Sequence, residues 1–411
     1  MKKRILLMAA VLFGVGSNAQ VISGQVAMGP GYANQAYYKL STGATSTYAQ
    51  TLWDVAFLRT NNFGFATRIN DAKGLSVFEA GDTAAWATID VTQEANWTQL
   101  YNSETAWEVG AFDNGSATYG WGEYNMANHH VTGAITFVIK YSATSYKKFK
   151  IDDFFGGYTF TYASWDGSAW SADTTVTLAN TSNPTNNFNY YSLETNSQVV
   201  AEPANTDWDL NFTKYNTDYP IPGGGSMMYG VTGVLHHPSL QVAENANGAT
   251  TGLEFSSDIN KIGFDWKTFS GTAYAVDTEK AFFVKYPGGT VYRLKFNTFA
   301  GSSTGLITFN SEDVTGLLST RTLDNNAAFG VYPNPSADKK INIVYELPAG
   351  AAVQNTVAVY SLTGAKVFEA KMANTSGFFN QQIDLGALTA GVYVLQFQSG
   401  DYSTTKKIVL N

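Results

Sequence analysis

The chain has 411 residues, 44% hydrophobic and 14% aromatic, enough to bury more than one core and too apolar for a disordered polymer. Charged residues make up only 14%, with 33 acidic against 25 basic and a net charge of −8, a balance that disfavours nucleic acid and anionic lipid as partners. Cysteine is absent, which excludes disulfides, thiolate nucleophiles and Cys-based metal sites together.

Residues 1–19 begin with Met1, Lys2, Lys3 and Arg4, continue as an apolar run from Ile5 to Val15 and close with Ser17, Asn18 and Ala19. A basic head, a short apolar middle and a small-residue exit predict a secretory signal peptide, too short for a stable membrane span. Its removal takes the net charge from −8 to about −11. Beyond residue 20 no apolar run is long enough to cross a bilayer, so no transmembrane segment is expected in the mature chain.

From there on, helical periodicity is scarce and alternation is common. "TFVIKY", "KKFKI", "AFFVKY", "VYRLKF", "VAVYSL" and "VYVLQF" read as strands of four to eight residues bounded by Gly, Asn, Asp or Pro-Gly turns, and the class is all-β. The strands also repeat. "YYKLSTG" at Tyr37 and "LWDVAFLR" with Trp53 return as "YYSLETN" at Tyr190 and "DWDLNFTK" with Trp208, at offsets of 153 and 155 residues. "FVIKYSATSYKKFKI" from Phe137 returns as "FFVKYPGGTVYRLKF" from Phe282, at an offset of 145. Three motifs in one order at nearly one offset predict a tandem duplication, with domains at 20–180 and 181–320. In the Trp-Asp motif, alternation puts Trp53, Val55 and Phe57 on one face; Asp54 and Asp209 read as turn caps of core strands rather than as catalytic acids.

The repeated order of Tyr-Tyr strand, Trp-Asp strand and paired hairpin resembles the HmuY family of exported haem-binding proteins of Bacteroidetes, over about residues 35–310. The resemblance implies two tandem HmuY-like β-rich domains, haem or porphyrin capture, and an outer-membrane haem receptor as partner.

The last region starts at "VYPNP", Val331–Pro335, after "LLSTRTLDNNAAFG", which lacks alternation and reads as a linker at 321–329. Short strands at regular spacing over 330–411 predict a small, roughly seven-stranded β-sandwich. With Gly364 in "LTGAKV", Gly391 and Tyr393 in "AGVYVL", and Lys406 and Lys407 before the final apolar residues, this region resembles the type A C-terminal sorting domain of type IX secretion cargo. That implies the secretion machinery and its sorting peptidase as partners, a secreted or cell-surface location, and removal of the region after export.

Enzyme signatures are missing: there is no Gly-x-Ser-x-Gly elbow, His-Glu-x-x-His helix, EF-hand loop or phosphate loop, and "IPGGGSMMYG" reads as a flexible connection. Acidic pairs such as Asp152 and Asp153 are what any chain with 33 acidic residues contains. A non-enzymatic role is therefore expected. All four histidines sit in two doublets, His129 with His130 and His236 with His237, and these are the candidate cofactor-binding residues. Strand parity places His129 with Val131, Ile135, Phe137 and Ile139, and His237 with Val231 and Leu235, so these two are expected to face apolar walls and ligate haem iron. His130 and His236 are expected to face outward. Met126, Met227 and Met228 are candidate second ligands, since each repeat holds one doublet in a non-equivalent place, unlike the family. A buried His bonded to a carbonyl fits the same pattern. The alternative function is a surface adhesin or carbohydrate-binding protein without haem, for which Trp165 and Trp170 in "SWDGSAW" could stack on sugar rings or simply form a packing lid.

Overall fold

The computed structural model describes residues 21–59, 66–221, 223–318, 329–347, 355–373, 377–399 and 402–411. The expected signal peptide, and the expected linker as far as residue 328, lie outside the described residues. Antiparallel strands dominate and helices are short, so the protein is all-β. Two compact units follow one another, one ending at Leu318 and one running from Ser319 to Asn411. No helix among the described residues is long and apolar enough to cross a membrane.

The first unit opens with β1 (Val21–Ala27), β2 (Asn34–Tyr38) and β3 (Thr45–Ala49). After Trp53 and Asp54 come β4 (Val55–Leu58), β5 (Thr67–Ile69), β6 (Ser76–Asp82), β7 (Thr98–Leu100), β8 (Gly122–Tyr124) and β9 (Val131–Gly133). The first expected hairpin is β10 (Ile135–Lys140) with β11 (Tyr146–Phe154), continued by β12 (Gly157–Ser164) and β13 (Thr174–Ala179). The second copy brings β14 (Phe188–Ser192), β15 (Ser197–Val199), β16 (Leu210–Pro220), β17 (Ser226–His236), β18 (Gln241–Asn245), β19 (Lys267–Phe269) and β20 (Tyr274–Val276). It ends with the second hairpin, β21 (Ala281–Lys285) and β22 (Val291–Phe299), and β23 (Leu306–Asp313).

These strands close two sandwiches. In the first, the sheet running β13-β12-β11-β10-β6-β7 shares a core with the sheet β15-β14-β4-β5, built on Phe57, Phe137, Phe149, Phe160 and Tyr191. In the second, β1-β23-β22-β21-β18 shares a core with β17-β16-β2-β3, built on Tyr38, Phe212, Trp266, Phe296 and Phe309. The alternation in each motif supplies one apolar face per strand, and the opposed faces exclude water together.

The two copies correspond strand by strand, and each lends its opening strands to the other. Tyr38 pairs with Leu210 and Tyr37 with Asn211, so β2 of the first copy lies on β16 of the second. Tyr191 pairs with Val55 and Tyr190 with Ala56, so β14 of the second copy lies on β4 of the first in the same register. Likewise β1 pairs with β23, as β13 pairs with β12. The sheets therefore cross the expected 180/181 boundary: the first sandwich is built from residues 55–199, and the second combines 21–49 with 210–313.

The Trp-Asp motif is the clasp for this exchange. Asp209 is 1% exposed and its Oδ2 accepts the Leu40 N–H at 2.8 Å; Lys39 reaches Oδ1 at 2.8 Å and the Tyr286 hydroxyl donates to Oδ2. Asp54, fully buried, accepts the N–H of Leu193 at 2.6 Å and of Glu194 at 3.2 Å, with Lys73 at 2.5 Å. Both carboxylates cap the turn that follows the partner copy's Tyr-Tyr strand, the role expected of them as caps. The rings beside them match as well: Trp53 lies edge-on to Tyr190 with centroids 4.9 Å apart, and Tyr37 to Trp208 at 5.1 Å.

The second unit is a sandwich of β24 (Gly330–Tyr332), β25 (Lys340–Leu347), β26 (Asn355–Ser361), β27 (Lys366–Met372), β28 (Gly377–Asp384), β29 (Gly391–Ser399) and β30 (Tyr402–Leu410). Its sheets run β24-β25-β28 and β27-β26-β29-β30, seven strands among the described residues, around Ile343, Tyr345, Val359, Leu395, Phe397 and Ile408. Gly364 sits in the tight turn before β27 at φ 87°, where a side chain would strain the backbone.

Candidate binding cleft and the histidine pairs

The histidine doublets lie in two unlike settings; strand parity misplaces His129 and His236, whereas His237 is buried against an aromatic ring as expected. The turn joining β8 to β9 holds His129 at φ 63°, outside any strand, so its ring is exposed and faces no apolar wall; its Nδ1 meets the Tyr124 hydroxyl at 2.6 Å. His130, expected to face outward, is half-buried: its Nδ1 lies 2.8 Å from the Asp153 carboxylate and its ring stacks on the exposed Phe155 at 4.6 Å.

His236, also expected to face outward, is fully buried at the end of β17. Its N–H donates to the Ile259 carbonyl, and the neighbouring loop covers the face that alternation would have left in water. The ring nitrogens, Nδ1 and Nε2, each face a carbonyl oxygen at 2.9 Å, of His237 and Asp258. Burial pushes its pKa down. His237 is 6% exposed, and its Nδ1 accepts the Ser239 N–H at 3.1 Å, which leaves the proton on Nε2 to donate to Asn205. Burial lowers its pKa to about 4, so the ring is neutral at physiological pH.

An axial haem ligand needs a ring nitrogen with a free lone pair beside an apolar slot. His236 is fully buried with both ring nitrogens against carbonyl oxygens, His237 spends its Nδ1 lone pair on Ser239, and His129 and His130 stand on a surface turn, so these rings do not fit a haem held by both doublets. Met126 is 83% exposed, and Met227 and Met228 lie on β17 in a protruding hairpin. No group of three or more His, Cys, Asp or Glu side chains among the described residues is placed to hold a metal.

The His237 ring belongs to the junction between the sandwiches. It packs edge-on against Trp208 with centroids 4.6 Å apart, and Trp107 donates its indole N–H to the His236 carbonyl at 2.9 Å. Arg68, 6% exposed, gives its guanidinium N–H groups to the carbonyls of Ser103 at 2.8 Å, Ala106 at 2.7 Å and Val109 at 3.0 Å, holding the loop that carries Trp107. This junction is packed and encloses only about 50 Å³ of space.

Trp165 and Trp170 form a lid. Their rings lie 5.2 Å apart over a satellite core of Ile89, Val138 and Tyr146, and the Trp170 indole N–H donates to the Ile89 carbonyl at 2.9 Å. The Lys148 ammonium sits 5.4 Å from the Trp170 ring centre. Both rings are half-buried in this packing.

A site that sequence reading missed lies in the second copy. β16 and β17 pair through eleven positions, yet only Leu210–Phe212 also pair with β2; the hairpin is buried as far as Thr217 and Val231, and its exposed outer part extends as an arm. Gly223, Gly224 and Gly225 in its turn all have positive φ, the reason that the "IPGGGS" stretch is glycine-rich. Between the arm and the loop at 258–265 is a cleft of about 510 Å³. Its apolar wall is Tyr219 and Phe264, 5.5 Å apart and tilted by 31°, with exposed Tyr229 a further 5.4 Å from Tyr219. Its polar side is Glu244, Asp258, Asn260, Lys261 and Asp265. Lys280 pairs with two of these, at 2.8 Å from Glu244 and 3.1 Å from Asp265, and leaves one net negative charge among the three. Tyr215 also lines the cleft; it is 4% exposed and its hydroxyl is buried without a hydrogen-bond partner. The nearness of Tyr219 and Tyr229 could have been guessed from an unusually long alternating hairpin, but the loop that brings Phe264 beside them could not.

Fold and site together define an all-β protein with an aromatic-walled cleft in its first unit and a separate seven-stranded sandwich, among the described residues, in its second. Residues 330–411 match the family described as the secretion system C-terminal sorting domain. The chain is thus cargo of type IX secretion, delivered to the cell surface or beyond it, with the secretion machinery as a partner. The HmuY-like resemblance of the preceding copies has no support in these comparisons. No curated protein matches the chain.

Proposed function

We propose that the mature protein is a non-enzymatic binding protein of the adhesin or carbohydrate-recognising kind, working outside the cell. The observation that carries this reading is the arm cleft, where adjacent aromatic rings face carboxylate and amide groups across a space of sugar size. Aromatic rings bind the C–H face of a sugar while carboxylates and amides accept its hydroxyl protons, and a rigid β-sandwich holds both in place. Haem or porphyrin capture, with its outer-membrane receptor, is the competing reading, and the partners of the histidine rings weigh against it.

The discriminating experiment uses the chain without its sorting domain's cellular processing being needed: purified full chain is titrated with hemin and followed by visible absorption, and in parallel applied to an immobilised glycan panel. Saturable glycan retention with an unchanged hemin spectrum supports the adhesin reading. A stoichiometric Soret shift that disappears in a variant with all four histidines changed to Ala overturns it in favour of haem.

A further inference from the structure

We infer that the arm cleft is a site for a neutral pyranose unit of an extracellular glycan, stacked on Phe264 and Tyr219. The inference rests on the carbohydrate-binding reading and adds the place and the charge of the ligand.

The apolar wall comes first. Phe264 is half-buried and therefore fixed, Tyr219 is 38% exposed, and their centroids 5.5 Å apart give one continuous surface about the width of a sugar ring. Tyr229 extends that surface along the arm, with room for a neighbouring residue of a chain. Stacking of this kind tolerates a hydroxylated ring because the C–H groups of a pyranose lie on its faces and the hydroxyls on its edge.

The polar side then sets the charge. Glu244 and Asp265 share the single Lys280, which leaves one net negative charge on that side of the cleft. Asp258 and Lys261 also line the cleft, and neither takes part in a salt bridge among the described residues. An anionic sugar would meet that excess negative charge, whereas neutral hydroxyls can donate to Asp258 and accept from Lys261 at once. Asn260 holds Glu104 at 2.8 Å through its amide nitrogen, which leaves its carbonyl oxygen to accept from a hydroxyl.

The floor is the buried Tyr215 side chain. The other sugar candidates, Trp165 and Trp170, are half-buried, and the Trp170 indole N–H is committed to the Ile89 carbonyl.

The test uses the full chain and calorimetric titration with soluble neutral polysaccharides (a glucan, a galactan and a mannan) and with one polyanionic and one polycationic glycan. Phe264→Ala and Tyr219→Ala should each weaken binding of the preferred neutral polysaccharide at least ten-fold with unchanged far-UV circular dichroism. Phe155→Ala, an exposed ring on the first sandwich, should leave binding unchanged. If the wild type binds a neutral glycan and the Phe264 and Tyr219 variants bind it equally well, the cleft is refuted and the carbohydrate reading survives. Binding confined to the charged polymers and abolished by salt refutes the neutral ligand. A wild-type chain that binds none of the five refutes the site and the reading together.

Discussion

Replacing Asp209 by Asn keeps the side chain's shape and removes its charge, which tests the clasp that joins the two copies. Three partners depend on that carboxylate: the Leu40 N–H, the Lys39 ammonium and the Tyr286 hydroxyl. All three are donors, so the amide nitrogen of Asn must face one of them as a second donor. A hydrogen bond to a charged group contributes about 1.5–3 kcal/mol, and removing one side of a buried pair costs about 3–5 kcal/mol. The expected loss is therefore about 3–5 kcal/mol, a large part of the roughly 5–15 kcal/mol by which a domain is stable. Guanidinium unfolding followed by Trp fluorescence measures it directly, since Trp208 adjoins the clasp. Hydrogen exchange adds a location: Asp209→Asn should raise exchange in residues 34–49, whereas Asp54→Asn should raise it in residues 188–199, because each carboxylate holds the other copy's hairpin. A stability change below about 1 kcal/mol for both variants, or exchange that rises in the same hairpin for both, would sink the reciprocal clasp.

The buried Glu202 has its pKa raised to about 7, chiefly by desolvation, against an ordinary 4.5. In the window between those values the folded state holds a proton that the unfolded state has lost, so stability should fall as pH rises from about 4.5 to about 7, by at most about 1.4 kcal/mol per pH unit. Glu202→Gln should flatten that slope in urea melts taken at several pH values, and a slope identical to wild type counts against the assignment. Arg68→Met leaves the carbonyls of Ser103, Ala106 and Val109 buried without their donor and should cost about 3–5 kcal/mol in thermal or denaturant unfolding; a melting temperature within a degree or two of wild type would show the loop at 103–109 to be held by other contacts. Because the sorting domain is handled by the export machinery, native surface material should lack residues from about Phe329 onward, and mass spectrometry that finds Asn411 at an intact C-terminus contradicts this.

The class of fold, the duplication and the sorting domain were legible in the sequence because each depends on local pattern. Alternation in "TFVIKY" or "VYVLQF" is a property of consecutive residues, and so are the glycine at Gly364 and the Tyr-Tyr and Trp-Asp motifs at their matched offsets. The histidines show where such reasoning stops. Parity assumes a strand with one dry and one wet face, but His129 leaves the strand for a left-handed turn, and His236 is covered on both faces by a loop and by the other sandwich. The exchange of opening strands was equally hidden: β2 and β14 are interchangeable by motif, and which sandwich each one completes is decided by how the segments at 49–55 and 199–210 carry the chain between them. The arm cleft likewise needs Tyr219 and Phe264, 45 residues apart in sequence, to be brought side by side. A side chain's own periodicity fixes which way it leaves the backbone; only the tertiary packing decides what stands there to meet it.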